Sequence, residues 1–264
     1  MLISIIVTAR NEERNMVHLL DSLVNQEPPI EIVIIDAKST DSTAEIVKEY
    51  MSRYDFIKLV VRGGTRGLSR NFGVERCSGE AVAFIDADCI VNPFWISRVR
   101  ASLKDWDIVA GKTINIGYQP FEDLERVELM YKGFDITFPS NNLAYKKSLF
   151  DRIGGFDDRF ITAEDIDLNL RAVEAGATIH YEKEAIMYHR ARPTFYKFYE
   201  QAFWNGVGRK QLTLKHGRLW RNYRPFEMFR REISFWSLTR LVFALLGYAG
   251  YKFFRRKKEP EQAW

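Results

Sequence analysis

Cysteine is scarce: Cys77 and Cys89 are the only two in 264 residues. Neither stands in a C-x-x-C pair or a zinc-type cluster, which argues against a disulfide framework and against a structural zinc module. A reduced, cytosolic environment is the simplest reading. The chain also lacks the G-x-x-x-x-G-K-[ST] loop with which many nucleotide enzymes cradle phosphate. It has no internal repeat and no low-complexity tract. The opening MLISIIVTARNEE is apolar but short, with no basic leader and no small-residue cleavage site, so a first strand is expected there rather than a signal peptide. An excess of one charge is missing too. A formal net charge of +4 is too small to argue for nucleic acid. The basic residues are nonetheless uneven: from Arg190 to Lys258 they outnumber the acidic ones, which suggests an anionic surface as partner for the C-terminal part.

The rest is ordinary for a folded protein, with 46% hydrophobic and 28% charged residues. The length suits one large domain or one domain with an appendage. LISIIVT (2–8) is an unbroken β-rich run, as for a strand buried on both faces. From Glu12 to Asn25, Met16, Leu19, Leu20 and Leu23 recur at helical spacing. Further strands are expected at 30–36, 56–61 and 81–86, with a helix opening at a Ser42–Glu45 capping box and another over 65–77. This alternation implies βαβ units, hence an α/β fold with a mainly parallel sheet flanked by helices. Beyond it, a strand is expected at 107–114, a helix over 121–133, a strand and short helix over 140–156, and a helix over 162–176 with Thr162 as N-cap and Gly176 as its end.

Ligands of such sheets bind beyond the carboxyl ends of the strands. Carboxylates collect there: Glu12, Asp36, Asp41, and Asp86 with Asp88 in AVAFIDADCIV (81–91). An Asp pair after a strand can be a simple turn. It can also hold a hard divalent cation, which takes oxygen ligands. Asp41 precedes a helix and can serve as its cap. Glu164 and Asp165 open a helix, where the dipole favours negative charge without any catalytic role. Gly63, Gly64 and Gly67 read as turn residues before a helix.

Four blocks in order decide between these readings: SIIVTARNEE, IEIVIIDAKSTDST, RGLSRNFGVERCSGEAVAFIDAD, and NNLAYKKSLFDRIGGFDDRF followed by AEDIDLNLR. Over roughly residues 2–190 the chain resembles the family 2 glycosyltransferases, which have the GT-A fold. The resemblance implies an inverting transfer from a nucleotide-sugar. Asp88 would be the direct ligand of a divalent metal, Mn2+ or Mg2+, with Asp86 near the ribose or the metal. Asp165 would be the general base, with Glu164 beside it. Thr8, Arg10, Glu12, Asp36, Arg66, Arg70 and Asn71 would meet the nucleotide, and Asn142, with Asn141, the donor sugar. His189 would meet the metal or the diphosphate, helped by Arg190 or Arg192. The pattern departs from the family at Ala37, where a second Asp is usual, at Lys38, where Gly is usual, and at Ser69, where Ala is usual, so the base it reads, UDP or GDP, stays open. The Q-x-x-R-W motif of processive synthases is missing, which points to a single addition. Two other classes stand beside this reading: a sugar nucleotidyltransferase, which would carry a Gly-rich basic loop after the first strand, and a non-catalytic nucleotide-sugar-binding or scaffold protein.

Residues 1–194 are therefore expected to form the catalytic domain, with a nucleotide half over about 1–104 and an acceptor half over about 105–194. Residues 195–264 would be a helical, membrane-associating extension, its aromatic residues packed in a core or in an interface such as that of a homodimer. The apolar segment 233–254 is interrupted by Arg240, and Arg230, Arg231 and Arg255 to Lys258 flank it. Arg at mid-bilayer is costly, so a helix lying in the interface, or a re-entrant one, is favoured over a simple span. That places the chain at the cytoplasmic face of the cell membrane, with an acceptor glycan or a polyprenyl-linked lipid as second substrate.

Overall fold

A computed structural model describes residues 1–117, 128–190, 195–217, 219 and 235–254. β1 (Ile3–Ala9), β2 (Ile30–Asp36), β3 (Ile57–Val61) and β4 (Ala81–Asp86) alternate with α1 (Glu13–Val24), α2 (Thr43–Met51) and α3 (Arg66–Val74). β5 (Cys89–Val91), α4 (Trp95–Ser102), β6 (Ile108–Ile116), the short strands β7 (Met130–Tyr131) and β8 (Phe134–Asp135), and a single 3-10 turn at Ser140–Asn142 follow. Then come β9 (Leu143–Lys146), α5 (Lys147–Arg152), α6 (Glu164–Glu174), β10 (Ile179–Arg190), α7 (Phe195–His216) and α8 (Phe235–Phe254).

Eight strands form one sheet in the order β3-β2-β1-β4-β9-β6-β10-β5. β1 to β4 are parallel, as the βαβ alternation predicts, and β10 runs parallel to β6. β9 lies antiparallel between β4 and β6, and β5 antiparallel against β10. Strand residues alternate between two cores. Ile3, Ile5 and Val7 face Met16, Leu19, Leu20 and Trp95, whereas Ile6, Val33 and Phe84 face Val74, Phe150 and Leu168. Helices thus cover both faces, and the carboxyl ends of β1, β2 and β4 are left as one edge.

Several local expectations are corrected. Of the expected helix over 121–133, residues 121–127 lie outside the described residues, and the remainder is strand β7 and a turn. α6 starts at Glu164 rather than after a Thr162 cap. Ala163 occupies the N-cap with φ +64°, and the Thr162 hydroxyl donates to the Trp204 carbonyl at 2.8 Å. Ser42 makes no side-chain cap; Asp41 supplies it, accepting from the Thr43 N–H at 3.1 Å.

Candidate active site

A cleft of about 1690 Å3 opens where the carboxyl ends of β1 and β4 meet α6 and α7. Thr8, Arg10 and Glu12 line it from the end of β1, Arg66 from the start of α3, and Asp86 and Asp88 from the end of β4. Glu164 and Asp165 line it from the first turn of α6, and His189 from β10. The antiparallel pairing of His189 with Cys89 sets that imidazole beside Asp88. Three of the loops around this edge carry non-glycine residues in the left-handed region: Asn11 (φ +55°), Lys38 (φ +58°) and Ala163 (φ +64°). Such strain persists where the surroundings over-determine the backbone, and it gathers at functional sites. Lys38 therefore keeps the backbone conformation that glycine would adopt there.

Arg70 organises the floor. Only 1% exposed, its guanidinium donates to Asp86 Oδ1 at 2.7 Å through Nη2 and to Glu164 Oε1 at 3.0 Å through Nη1. Burial alone would lower its pKa, but Asp86 and Glu164 outweigh that and raise it, so the charge is held. Arg70 was expected to face the nucleotide. It lines the cleft, donates through both Nη groups to carboxylates, and braces the β4 end against α6. Asn71 lies elsewhere. Its amide donates to the Phe156 carbonyl and accepts from the Phe156 N–H, each at 2.8 Å, a two-point clamp on the backbone outside the cleft lining.

Asn142 is buried. Its Oδ1 accepts from Trp95 Nε1 at 2.8 Å, and its Nδ2 donates to the Lys112 and Ala185 carbonyls at 3.1 and 3.2 Å. It ties β6, β10 and α4 together, and its neighbour Asn141 lines the cleft in its place. Asp36 turns back on its own loop, accepting from the Ser39 N–H and hydroxyl, and does not line the cleft. Arg190 donates to Asn15 on α1 at 2.8 Å. Arg192 lies outside the described residues.

Among the described residues no group of three or more His, Cys, Asp or Glu side chains is arranged to hold a metal. The expected trio of Asp86, Asp88 and His189 is reduced to two, because Asp86 is turned to Arg70. Asp88 Oδ2 stands 3.5 Å from His189 Nε2, and His189 Nδ1 is 3.0 Å from Asn115 Oδ1. The imidazole thus stands between a carboxylate on its Nε2 side and an amide on its Nδ1 side. Asn115, which no motif had singled out, also lines the cleft.

Asp165 differs from the other carboxylates. Its Oδ1 accepts from the Ile166 N–H at 2.8 Å and its Oδ2 from the Ser140 N–H at 3.3 Å. Burial, then the neighbouring Glu164, push its carboxyl up to about 6, against the pull of Arg70. A carboxylate with that pKa at a cleft can take a proton near neutral pH.

Reading 195–264 as an extension missed the far wall of the cleft. Lys197, Gln201, Trp204, Asn205 and Arg209 line it from one face of α7. Their helical spacing, over three to four residues between successive turns, was visible in the sequence, but no motif marked it. α7 is anchored at its end. Asp167 of α6, fully buried, accepts from Lys215 at 2.7 Å, His216 at 2.6 Å and Arg171 at 2.8 Å. α8 then crosses α7 so closely that a Cβ on Gly206 would sit 1.8 Å from the Ala244 carbonyl oxygen, and one on Gly247 1.9 Å from that of Phe203. No helix among the described residues is long and apolar enough to cross a membrane.

Comparison with known proteins agrees with this architecture. The family described as "Glycosyl transferase family 2" matches residues 4–157, and "Glycosyl transferase family group 2" matches 82–255. Glycosyltransferase AglE of Haloferax volcanii is 26% identical over 80% of this chain and 74% of its own length. The probable glycosyltransferase YdaM of Bacillus subtilis is 27% identical over 81% of this chain but only 56% of its own length. Among solved structures, TarS of S. aureus in complex with UDP-GlcNAc superposes with a TM-score of 0.65 at 20% identity, covering 95% of this chain and 81% of that one. The mannosyltransferase PcManGT of Pyrobaculum calidifontis, in complex with GDP-Man and Mn2+, gives 0.66 at 18% identity, covering 97% and 76%. The fold is GT-A.

Proposed function

The chain belongs to glycosyl transferase family 2 and is a glycosyltransferase with a nucleotide-sugar donor, and from that premise we propose that it is inverting and metal-dependent, adding one sugar to a hydroxyl of a lipid-linked glycan. The observation that carries the reading is a single cleft with an Asp88–His189 pair on one side and, on the other, a carboxyl raised to about 6.

Arg10, Arg66 and Lys112 line the cleft as cations for the donor diphosphate. A carboxylate oxygen and an imidazole nitrogen, with room for diphosphate oxygens and water, are a donor set that fits Mn2+ or Mg2+. Asp88 and His189 would hold that ion, and when bound it would act as a Lewis acid toward the leaving diphosphate. Asp165 takes the proton of the acceptor hydroxyl as that oxygen bonds to the anomeric carbon. The bond from that carbon to the diphosphate breaks on the opposite side, the configuration inverts, and the nucleoside diphosphate leaves. Glu164 is held by Arg70, and its charge raises the pKa of Asp165.

The lipid-linked acceptor is supported by α8. It exposes Leu238, Val242, Leu245 and Leu246, about half their surface each, on a helix whose sequence flanks are basic. We assign this face to the cytoplasmic surface of a membrane containing anionic lipid. The full chain should co-sediment with anionic vesicles, and a Leu245→Glu/Leu246→Glu variant should not. Equal sedimentation of the two would sink the membrane assignment. For the reaction, the purified chain is incubated with Mn2+ and a panel of UDP- and GDP-sugars. Metal-dependent release of nucleoside diphosphate from at least one donor is expected. Release from none, with no donor-induced rise in Tm, would refute the reading.

A further inference from the structure

Resting on that reading, we propose that Trp204, Asn205 and Arg209 of α7 form the acceptor subsite, with Trp204 under a sugar ring and Arg209 on the phosphate that links the glycan to its lipid. The cleft, at about 1690 Å3, exceeds the roughly 300–1,000 Å3 of an ordinary small-ligand site, so it has room for two substrates. Its residues divide by element. The ends of β1, β4 and β10 supply Arg10, Asp88 and His189, the cation and metal-ligand chemistry of a diphosphate. Trp204, Asn205 and Arg209 come from α7 and supply an aromatic face, an amide and a guanidinium.

Asp165 lines the same cleft from the first turn of α6. Arg70, bound to Asp86 and to the neighbouring Glu164, joins that turn to the end of β4. In turn, α7 is fixed to the segment that leads into α6: the Thr162 hydroxyl donates to the Trp204 carbonyl at 2.8 Å, and the Ile161 N–H donates to Gln211 Oε1 at 3.1 Å. The α7 wall around residues 204 to 209 is thereby joined to the segment that leads into the helix bearing Asp165, and both line one cleft. An aromatic face stacks on the apolar face of a sugar ring, and guanidinium pairs with phosphate through two parallel hydrogen bonds. The same two-helix unit carries the exposed apolar face of α8, tied to α7 by Tyr199 stacked on Phe243 at 4.5 Å and Phe195 on Trp236 at 5.2 Å. One rigid unit thus offers a headgroup wall inside the cleft and an apolar surface for the lipid outside it.

The test uses the full chain as wild type, Arg209→Gln and Trp204→Leu, each checked for unchanged helicity. Two acceptors are compared, a saccharide joined to a farnesyl diphosphate tail and the same saccharide free. Nucleoside diphosphate binding with Mn2+ and hydrolysis of the donor by water are measured on the same samples. Arg209→Gln should raise KM for the phosphate-linked acceptor about tenfold and leave the free saccharide within about twofold. Trp204→Leu should raise KM for both. Neither should move nucleotide affinity or donor hydrolysis by more than about twofold. An unchanged acceptor KM in both variants, an equal loss of nucleotide affinity, or donor hydrolysis by wild type with transfer to neither acceptor would overturn the subsite. Failure to bind any nucleotide would instead remove the glycosyl-transfer reading on which it rests.

Discussion

The site has two carboxylate pairs, and they are built alike. Asp86 and Asp88 close a strand; Glu164 and Asp165 open a helix. In each pair one member is given to Arg70 and the other is left to the cleft: Asp86 and Glu164 are bound to the guanidinium, while Asp88 faces His189 and Asp165 has a raised pKa. Adjacent carboxylates repel each other, and one buried cation shared between the pairs offsets part of that charge in each. The lesson is that a motif of two acidic residues need not mean two chemical groups. One can position the other.

Substitution separates the two kinds of carboxylate. The largest effect is expected at the exposed-role members. Asp165→Asn should lower kcat about 100- to 10,000-fold while nucleotide affinity stays within about twofold. Asp88→Asn should instead lose the metal-stimulated part of the activity, seen as a flat response to added Mn2+. If Asp86→Asn gave the same flat response with unchanged stability, the division drawn here would be wrong. Next comes the brace. Arg70→Gln removes a buried cation from two partly buried carboxylates and should lower the unfolding free energy by about 3 kcal/mol in urea titration. Glu164→Gln, which keeps a hydrogen-bond acceptor for Arg70, should cost about 1–3 kcal/mol. Equal losses would mean that Arg70 is not shared between the pairs.

The two regions were also unequally legible in the sequence. The strands of the nucleotide half followed from unbroken runs such as ISIIVTA, buried at every position, and the acidic residues at their ends marked the edge that became the cleft. The roles of Arg70, Asn71 and Asn142 were not legible. A guanidinium suits a phosphate and a carboxylate equally, and an amide suits a sugar and a backbone equally; only the partner decides, and partners 94, 85 and 47 residues away are fixed by the fold. The α7 wall was hidden differently, since half-exposed polar residues at helical spacing look the same lining a cleft as facing solvent. Asn115 is a third case, a strand residue that lines the cleft and contacts His189. Asn115→Ala should remove the contact that orients the imidazole and weaken Mn2+ binding about 10- to 100-fold, measured by calorimetry without donor. Unchanged Mn2+ affinity would leave the amide no part in the site.

The smallest effect near neutrality, and the sharpest on the acceptor pair, is the pH dependence. With its pKa at about 6, Asp165 is mostly ionised at pH 7 and works as a base there. Lowering the pH from 7 to 6 should cost about twofold in kcat, and from 6 to 5 about a further fivefold. Stability should not follow that limb. A carboxyl whose pKa is raised by folding binds its proton more tightly in the native state, so its contribution is present below the unfolded value of about 3.9 and is lost as pH rises through about 6. Asp167 has the opposite sign. Burial would raise it, but His216, Lys215 and Arg171 outweigh burial and lower it, so its contribution is present above about 3.9 and is lost as pH falls through the depressed value. Between pH 7 and 5 the enzyme should therefore lose activity while its urea midpoint holds or rises slightly. A midpoint that fell in step with kcat would mean that the acid limb reports unfolding and not protonation of Asp165.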